Sequence, residues 1–504
     1  MILLSVLGVN SMEWTKEQRY RSMIDVSKEE IQGLAKLVNQ CPWRQSFHIQ
    51  PVTGLLNDPN GFSYFNGEYH LFYQWFPLGP VHGLKHWYHT KSKNLVHWEN
   101  VGMGIEPTNE FDCHGAYSGS GIEHDGKLYL MYTGNTRDEN WKRHPYQCLA
   151  VLNPDGSIIK MDEPVIAEVP SGYTDHYRDP KVWKDGDHFY AVIGAQRENE
   201  TGTVVLYRSC DLKDWQFAGE VKTGLGEDFG YMWECPDYFE LDGQGVFLFS
   251  PQGLKAEGDH YQNIYQSGYV VGSPIDLEKN LLKHGAFHEL DRGFEFYAPQ
   301  STVDQQGRRI VVGWMGLPEI DYPTDKNGWA HCLTLPRELS VKDGKLVQQP
   351  VSELECLRGK KVEISQMVEN ENTGLADFEG EVYELFAEFS NSTAEEFGLE
   401  LRVGPMEKTV IKVDAVSKKV VFDRTESGES FAEEFGTVRK CTVDAEKMSF
   451  RIFVDVSSVE VFVNNGEEVF TARIFPSKNS NGIRVFARGG ETKVTAVKWD
   501  IIDS

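Results

Sequence analysis

The sequence predicts an all-β chain: a five-bladed β-propeller followed by a C-terminal antiparallel β-sandwich, behind a short N-terminal helix. Three observations carry this. A hairpin turn feeding an aromatic, β-branched run recurs five times. A second internal echo repeats between two of the units. Beyond residue 340 the texture changes to long alternating strands.

The turns are Asn66-Gly67, Asp125-Gly126, Asp185-Gly186 and Asp242-Gly243, with a looser copy at Gln306-Gly307. Asn-Gly and Asp-Gly between apolar runs signal a type I′ hairpin, because both central residues need φ > 0. The glycines recur about 60 residues apart, room for four strands per unit, and a fixed period of such units reads as radial repetition. The echo is Ser92-Lys-Asn94-Leu95-Val-His-Trp98 against Ser209-Cys-Asp211-Leu212-Lys-Asp-Trp215.

Residues 1–41 form an N-terminal extension. Helical spacing of Ile31, Leu34, Ala35 and Val38, with no proline, predicts one helix over 13 to about 39. Residues 42–340 make the propeller. Residues 341–504 alternate with period two and carry an Asn465-Gly466 hairpin, which predicts the sandwich, a packing or oligomerisation module. The apolar start MILLSVLGV lacks a basic region and is too short to cross a bilayer, so Met12 is an alternative start and the cytoplasm the expected compartment.

A formal net charge of −26 argues against nucleic-acid and anionic-membrane partners, both of which need basic patches. The eight cysteines show no CxxC pair and no metal-ligand spacing, so reduced thiols are expected, with neither a disulfide framework nor a metal. An aromatic fraction of 12% suits sugar contact and core packing equally.

Asp58 and Glu234 lie nine residues before their turn glycines, and Asp179 lies seven before its own; Ser118 and Tyr297 hold the comparable places in the other two units. Inner strands of a propeller converge on one channel. Three carboxylates brought there perturb one another, a poor way to stabilise a fold and a good way to do acid–base chemistry. Arg178, beside Asp179, is expected to hold that carboxylate ionised.

Asn57-Asp58-Pro59-Asn60-Gly61, then Arg178-Asp179-Pro180, then Glu234-Cys235-Pro236-Asp237, in this order, resemble glycoside hydrolase family 32, the β-fructofuranosidases. Tyr117-Ser118-Gly119-Ser120, Phe296-Tyr297-Ala298-Pro299-Gln300, Gly313-Trp314-Met315 and Leu333-Thr334-Leu335-Pro336-Arg337-Glu338 extend the likeness, which runs from Pro42 to the C-terminus. That family has a five-bladed propeller and a β-sandwich and needs no cofactor. The resemblance implies Asp58 as nucleophile, Glu234 as general acid/base and Asp179 as transition-state stabiliser. Retention then asks for about 5–5.5 Å between the first two carboxyl groups, and the acid role for a raised Glu234 pKa.

Asn57, Gln74, Tyr117, Ser118 and Arg178 are implied substrate contacts, and Trp75, Trp87 and Trp314 offer flat faces for a sugar ring or for the core. Residues 73–89 resemble the intracellular branch that acts on sucrose 6-phosphate. His82, Lys85, His86 and His89 form one basic cluster there, and Arg137, Lys142 and Arg143 a second; either suits a phosphate, and either suits a solvated loop. Invertase or exo-fructanase activity on unphosphorylated sugars, and a sugar-binding propeller without catalysis, stay open, as do monomer and homodimer through the sandwich.

Overall fold

The computed structural model describes residues 13–443 and 447–502, so the choice between Met1 and Met12 lies outside the described residues. Five blades surround a channel. Their innermost strands are Gly54–Phe65, Ala116–His124, Tyr173–Asp185, Met232–Leu241 and Tyr297–Val303, each in contact with the next and the last with the first. The ring is latched by Trp329–Ala330, which returns from the fifth blade to pair in parallel with Gly54 and Leu55.

The turn chemistry behaves as the residue types require. Asn66 (φ 51°) and Gly67 (φ 84°), Asp125 (49°) and Gly126 (71°), and Asp242 (53°) and Gly243 (75°) are left-handed pairs. In the third blade Asp185 pairs with His188, so the turn falls one residue later than predicted, on Gly186-Asp187. Gln306-Gly307 sits in the longer loop 304–308, which Asp304 ties by accepting from the Gln306 and Arg308 amides. The internal echo is a true structural repeat. Leu95 (φ 63°) and Leu212 (φ 66°) turn the chain identically, and the following Trp98 and Trp215 indoles each donate to that leucine's carbonyl at 2.9 Å.

Two expectations need correction. The predicted helix over 13–39 is broken into Lys16–Arg19, a 3-10 turn Met23–Asp25 and Lys28–Asn39. Ser22 and Ser27 each accept from a backbone amide two or three residues on, restarting the chain as N-caps. The propeller also runs past 340: Arg337–Lys342 and Lys345–Pro350 are the outer strands of the fifth blade. Period-two alternation cannot tell an outer blade strand from a sandwich strand.

The sandwich is two six-stranded sheets around an apolar core that includes Phe389, Phe397, Leu399, Phe450, Val461 and Phe470. Its junction with the propeller is ionic. His48 lies 2.7 Å from Asp455 and 3.0 Å from Glu460, and Arg337 bridges Glu460 (2.7 Å) and Asp291 (3.1 Å), all fully buried. Burial opposes the charge on His48, but the hydrogen bonds it donates to Asp455 and Glu460 outweigh it and lift its pKa to about 9.

Candidate active site

Every innermost strand breaks register at the same level of the channel, between Leu56 and Pro59, Ala116 and Gly119, Arg178 and Lys181, Glu234 and Asp237, and Tyr297 and Gln300; the first and third strands break a second time elsewhere. Each break is a β-bulge, which re-aims side chains. Asp179 (φ 69°), Cys235 (48°) and Ala298 (48°) take left-handed backbone there. The acids occupy different steps of this device. Glu234 precedes its bulge, Asp179 is the first bulged residue and Asp58 the second. They are not the same position repeated, as their similar offsets suggested; the bulge turns three neighbouring positions into one cluster.

Asp58 is deeply held. Ser118 Oγ donates to its Oδ2 at 2.5 Å and Asn57 Nδ2 to its Oδ1 at 3.1 Å. Gln74 donates to Ser118 (2.6 Å) and accepts from Asn57 (2.7 Å), while Lys85 Nζ donates to Asn57 Oδ1 at 2.6 Å. Burial raises the Asp58 pKa, the Ser118 bond opposes that, and the Glu234 charge adds to it. Cys235 links two acids: its amide donates to Asp179 Oδ2 (2.9 Å), and its thiol lies 3.5 Å from Asp58 Oδ2 and 3.6 Å from Asp179 Oδ2. Asp179 is also raised, first by burial; Arg178 pulls it down, and Glu234 and Asp58 push it back up.

Arg178 does not pair with its sequence neighbour. Its Nε and Nη2 both donate to Glu234 Oε1, at 3.0 and 2.7 Å, and Tyr297 Oη donates to Glu234 Oε2 at 2.6 Å. Each carboxyl oxygen of Glu234 thus has a hydrogen-bonding side chain.

Above the acids opens a pocket of about 230 Å³, lined among others by Asn57, Gln74, His82, Lys85, Tyr117 and Trp314. Ser118 is not on that wall; it lies behind Asp58, 2% exposed. Trp75 is core instead, its indole donating to Thr53 O at 2.6 Å, and Trp87 is wholly buried against Tyr132.

The first basic cluster disperses. His86 and His89 are buried away from the pocket and burial takes them down to about 4 and about 3, so neither is a cation at neutral pH. Burial also holds His82 well below its ordinary value and brings Lys85 down to about 7.

Sequence reasoning missed Tyr20, Gln252, Tyr265, Pro318 and Glu319, all on the pocket wall. Tyr20 arrives from the N-terminal helix, whose Arg19 brackets the wall loop by donating to His82 O (2.9 Å) and accepting from Leu84 N (2.7 Å). No local pattern marks a helix-end tyrosine as a pocket residue.

The model for the glycosyl hydrolases family 32 N-terminal domain matches residues 48–350, and that for the family's C-terminal domain matches residues 353–501. A sucrose-6-phosphate hydrolase of Staphylococcus xylosus is 47% identical over 489 residues, 97% of this chain and 99% of that protein. One from Bacillus subtilis is 43% identical, covering 92% of this chain and 95% of that one. Among solved structures, sucrose-6-phosphate hydrolase from Lactobacillus gasseri superposes with a TM-score of 0.91 at 38% identity, covering 97% of this chain and all of that one. A family 32 β-fructofuranosidase of Bombyx mori gives 0.81 at 34% identity, over 94% of this chain and 97% of that one.

Proposed function

The chain belongs to glycosyl hydrolase family 32, and on that footing we propose that it is a retaining β-fructofuranosidase hydrolysing sucrose 6-phosphate, and sucrose, to fructose and glucose 6-phosphate or glucose. The observation that supports this most is the convergence of Asp58, Asp179 and Glu234 at the floor of one pocket, with Asp58 and Asp179 joined through Cys235 and Glu234 held apart by Arg178 and Tyr297.

Cleaving a fructosyl bond builds oxocarbenium character at the anomeric carbon. Asp58, aimed by Ser118 and Asn57, attacks that carbon from one face. Glu234, carrying a proton, delivers it to the departing glucosyl oxygen. Water then adds to the fructosyl-enzyme while Glu234, now a carboxylate hydrogen-bonded by Arg178 and Tyr297, takes its proton. Asp179 grips ring hydroxyls and gains as positive charge grows, a selective effect on the transition state. Three mutually repelling buried carboxylates resist ionising together, which keeps a proton within the cluster.

Asn57, Gln74 and Trp314 face the fructosyl unit, with His82 and Lys85 above them; Tyr117 and Arg178 lie towards the leaving group. A sugar phosphate is charged and does not cross a bilayer unaided, so the proposed compartment is the cytoplasm. Among the described residues no helix is long and apolar enough to cross a membrane. The assembly is a monomer or a homodimer through the sandwich, which sedimentation separates.

The test is kcat/KM for sucrose 6-phosphate against sucrose, with the first-formed anomer of fructose followed by NMR. A preference for the phosphorylated sugar and initial release of β-fructofuranose support the proposal. Equal rates make the enzyme an invertase, initial inversion removes Asp58 as nucleophile, and no turnover leaves a binding propeller.

A further inference from the structure

A second basic group stands at the mouth of the same pocket. Arg137 and Arg143 are direct cross-strand partners at the end of the hairpin formed by Lys127–Arg137 and Arg143–Leu152. Directly opposite residues project from the same face of a sheet, and like charges so placed are destabilising. In a chain with 76 acidic residues against 50 basic ones, such a pair would ordinarily be neutralised by nearby carboxylates. Here it is not.

Among the described residues, neither arginine enters a salt bridge, and the Nε of each is buried without a hydrogen-bond partner. The carboxylate in the intervening turn, Asp138, is occupied by the Asn140 and Lys142 amides and by His144. Arg143 lies on the pocket wall, over the Tyr117 ring at 5.9 Å, with Tyr20 on the same wall. Arg137 lies behind it against Trp141. Unpaired, partly desolvated guanidinium groups with free donors are what a phosphoryl group binds.

Direction completes the argument. From Glu234 the contacts run to Arg178 (2.7 Å), from Arg178 to His176 (3.0 Å) and from His176 to Arg143 (3.3 Å). With Glu234 as the acid to the leaving oxygen, this line of contacts joins Arg143 to the side on which the departing glucosyl unit must lie. We propose that Arg143, backed by Arg137, is the subsite that receives the phosphoryl group on the leaving sugar. This rests on the reading of the substrate given above. It also separates the two basic clusters: the residues 82–89 serve the fructosyl end and the core, and the hairpin arginines serve the phosphate.

The test compares kcat/KM for sucrose 6-phosphate and sucrose in the full chain and in Arg143→Gln, Arg143→Lys and Arg137→Gln. Loss of one charge-assisted contact lowers the ratio of the two about 10- to 100-fold in Arg143→Gln, with part of it kept by Arg143→Lys. Arg137→Gln lowers it by a smaller factor. Equal loss on both sugars in Arg143→Gln overturns the proposal, since it would mean that the arginine acts only through His176 and Arg178. An unchanged ratio overturns it too and leaves the substrate reading intact. A wild-type enzyme with no preference overturns both. Inhibition of sucrose hydrolysis separates the sources of phosphate: glucose 6-phosphate should inhibit more strongly than glucose, and Arg143→Gln should erase that difference. Inhibition by inorganic phosphate equal to that by glucose 6-phosphate would assign the arginines to a free anion instead and reject the subsite.

Discussion

Replacing Ser118 by alanine removes one hydroxyl from behind the proposed nucleophile and changes no side chain of the pocket wall itself. The lost bond is the 2.5 Å donation to Asp58 Oδ2, the largest influence holding the Asp58 pKa down against burial. A hydrogen bond to a charged group is worth about 1.5–3 kcal/mol, so its loss raises the nucleophile's pKa further. Asp58 attacks as the anion, so the sign is fixed: the acid limb of kcat/KM against pH moves to higher pH, and the low-pH rate falls while the plateau changes less. Gln74 Nε2 loses its acceptor but keeps its Oε1 bond with Asn57, so the scaffold stays in place. The assay is the pH profile on sucrose from pH 4 to 8, beside a thermal melt that shows intact folding. An acid limb that stays put, or moves down, would refute both the electrostatic account of Asp58 and its place as the titrating nucleophile.

Asp58→Ala and Glu234→Ala should each lower kcat by orders of magnitude with little change in Tm, since both side chains serve the pocket rather than the core; near-native rates would sink the mechanism. Stability should depend on pH through His48. Its folded pKa, about 9, lies above the unfolded value of about 6.5, so its contribution is complete below pH 6.5 and disappears as pH rises through 9. His48→Asn takes the cationic partner from buried Asp455 while Glu460 keeps Arg337, costs about 3–5 kcal/mol, and should flatten the fall in Tm between pH 7 and 10. Deleting the chain before Ser22 removes Arg19 from the wall loop and Tyr20 from the pocket, so KM should rise several-fold with kcat less affected. Unchanged KM would show that the loop holds itself. Trp75→Phe should cost stability rather than substrate affinity, because the indole serves Thr53 in the core, and calorimetry beside KM separates the two.

Much of the architecture was legible because its signals are local. An Asn-Gly or Asp-Gly pair between apolar runs signals a hairpin locally, and four such pairs with a looser fifth copy at a steady period leave few folds but a propeller. The motifs around Asp58, Asp179 and Glu234 were readable for the same reason, and family membership follows from their order along the chain. Tertiary structure alone decided which charges meet. Arg178 stands next to Asp179 in sequence yet grips Glu234, because a bulge reverses which side of the strand each side chain leaves. Four basic residues in 82–89 looked like one patch, but the strand His86–Ser92 is buried on both faces, so His86 and His89 leave for opposite sides of the sheet, each in the interior. Tyr20 joins the pocket from an element that shares no period with the blades. Sequence determines what each residue is able to do and how the chain turns beside it; burial and the charges of distant neighbours exist only once the five blades close, and these set which groups carry charge and where it is spent.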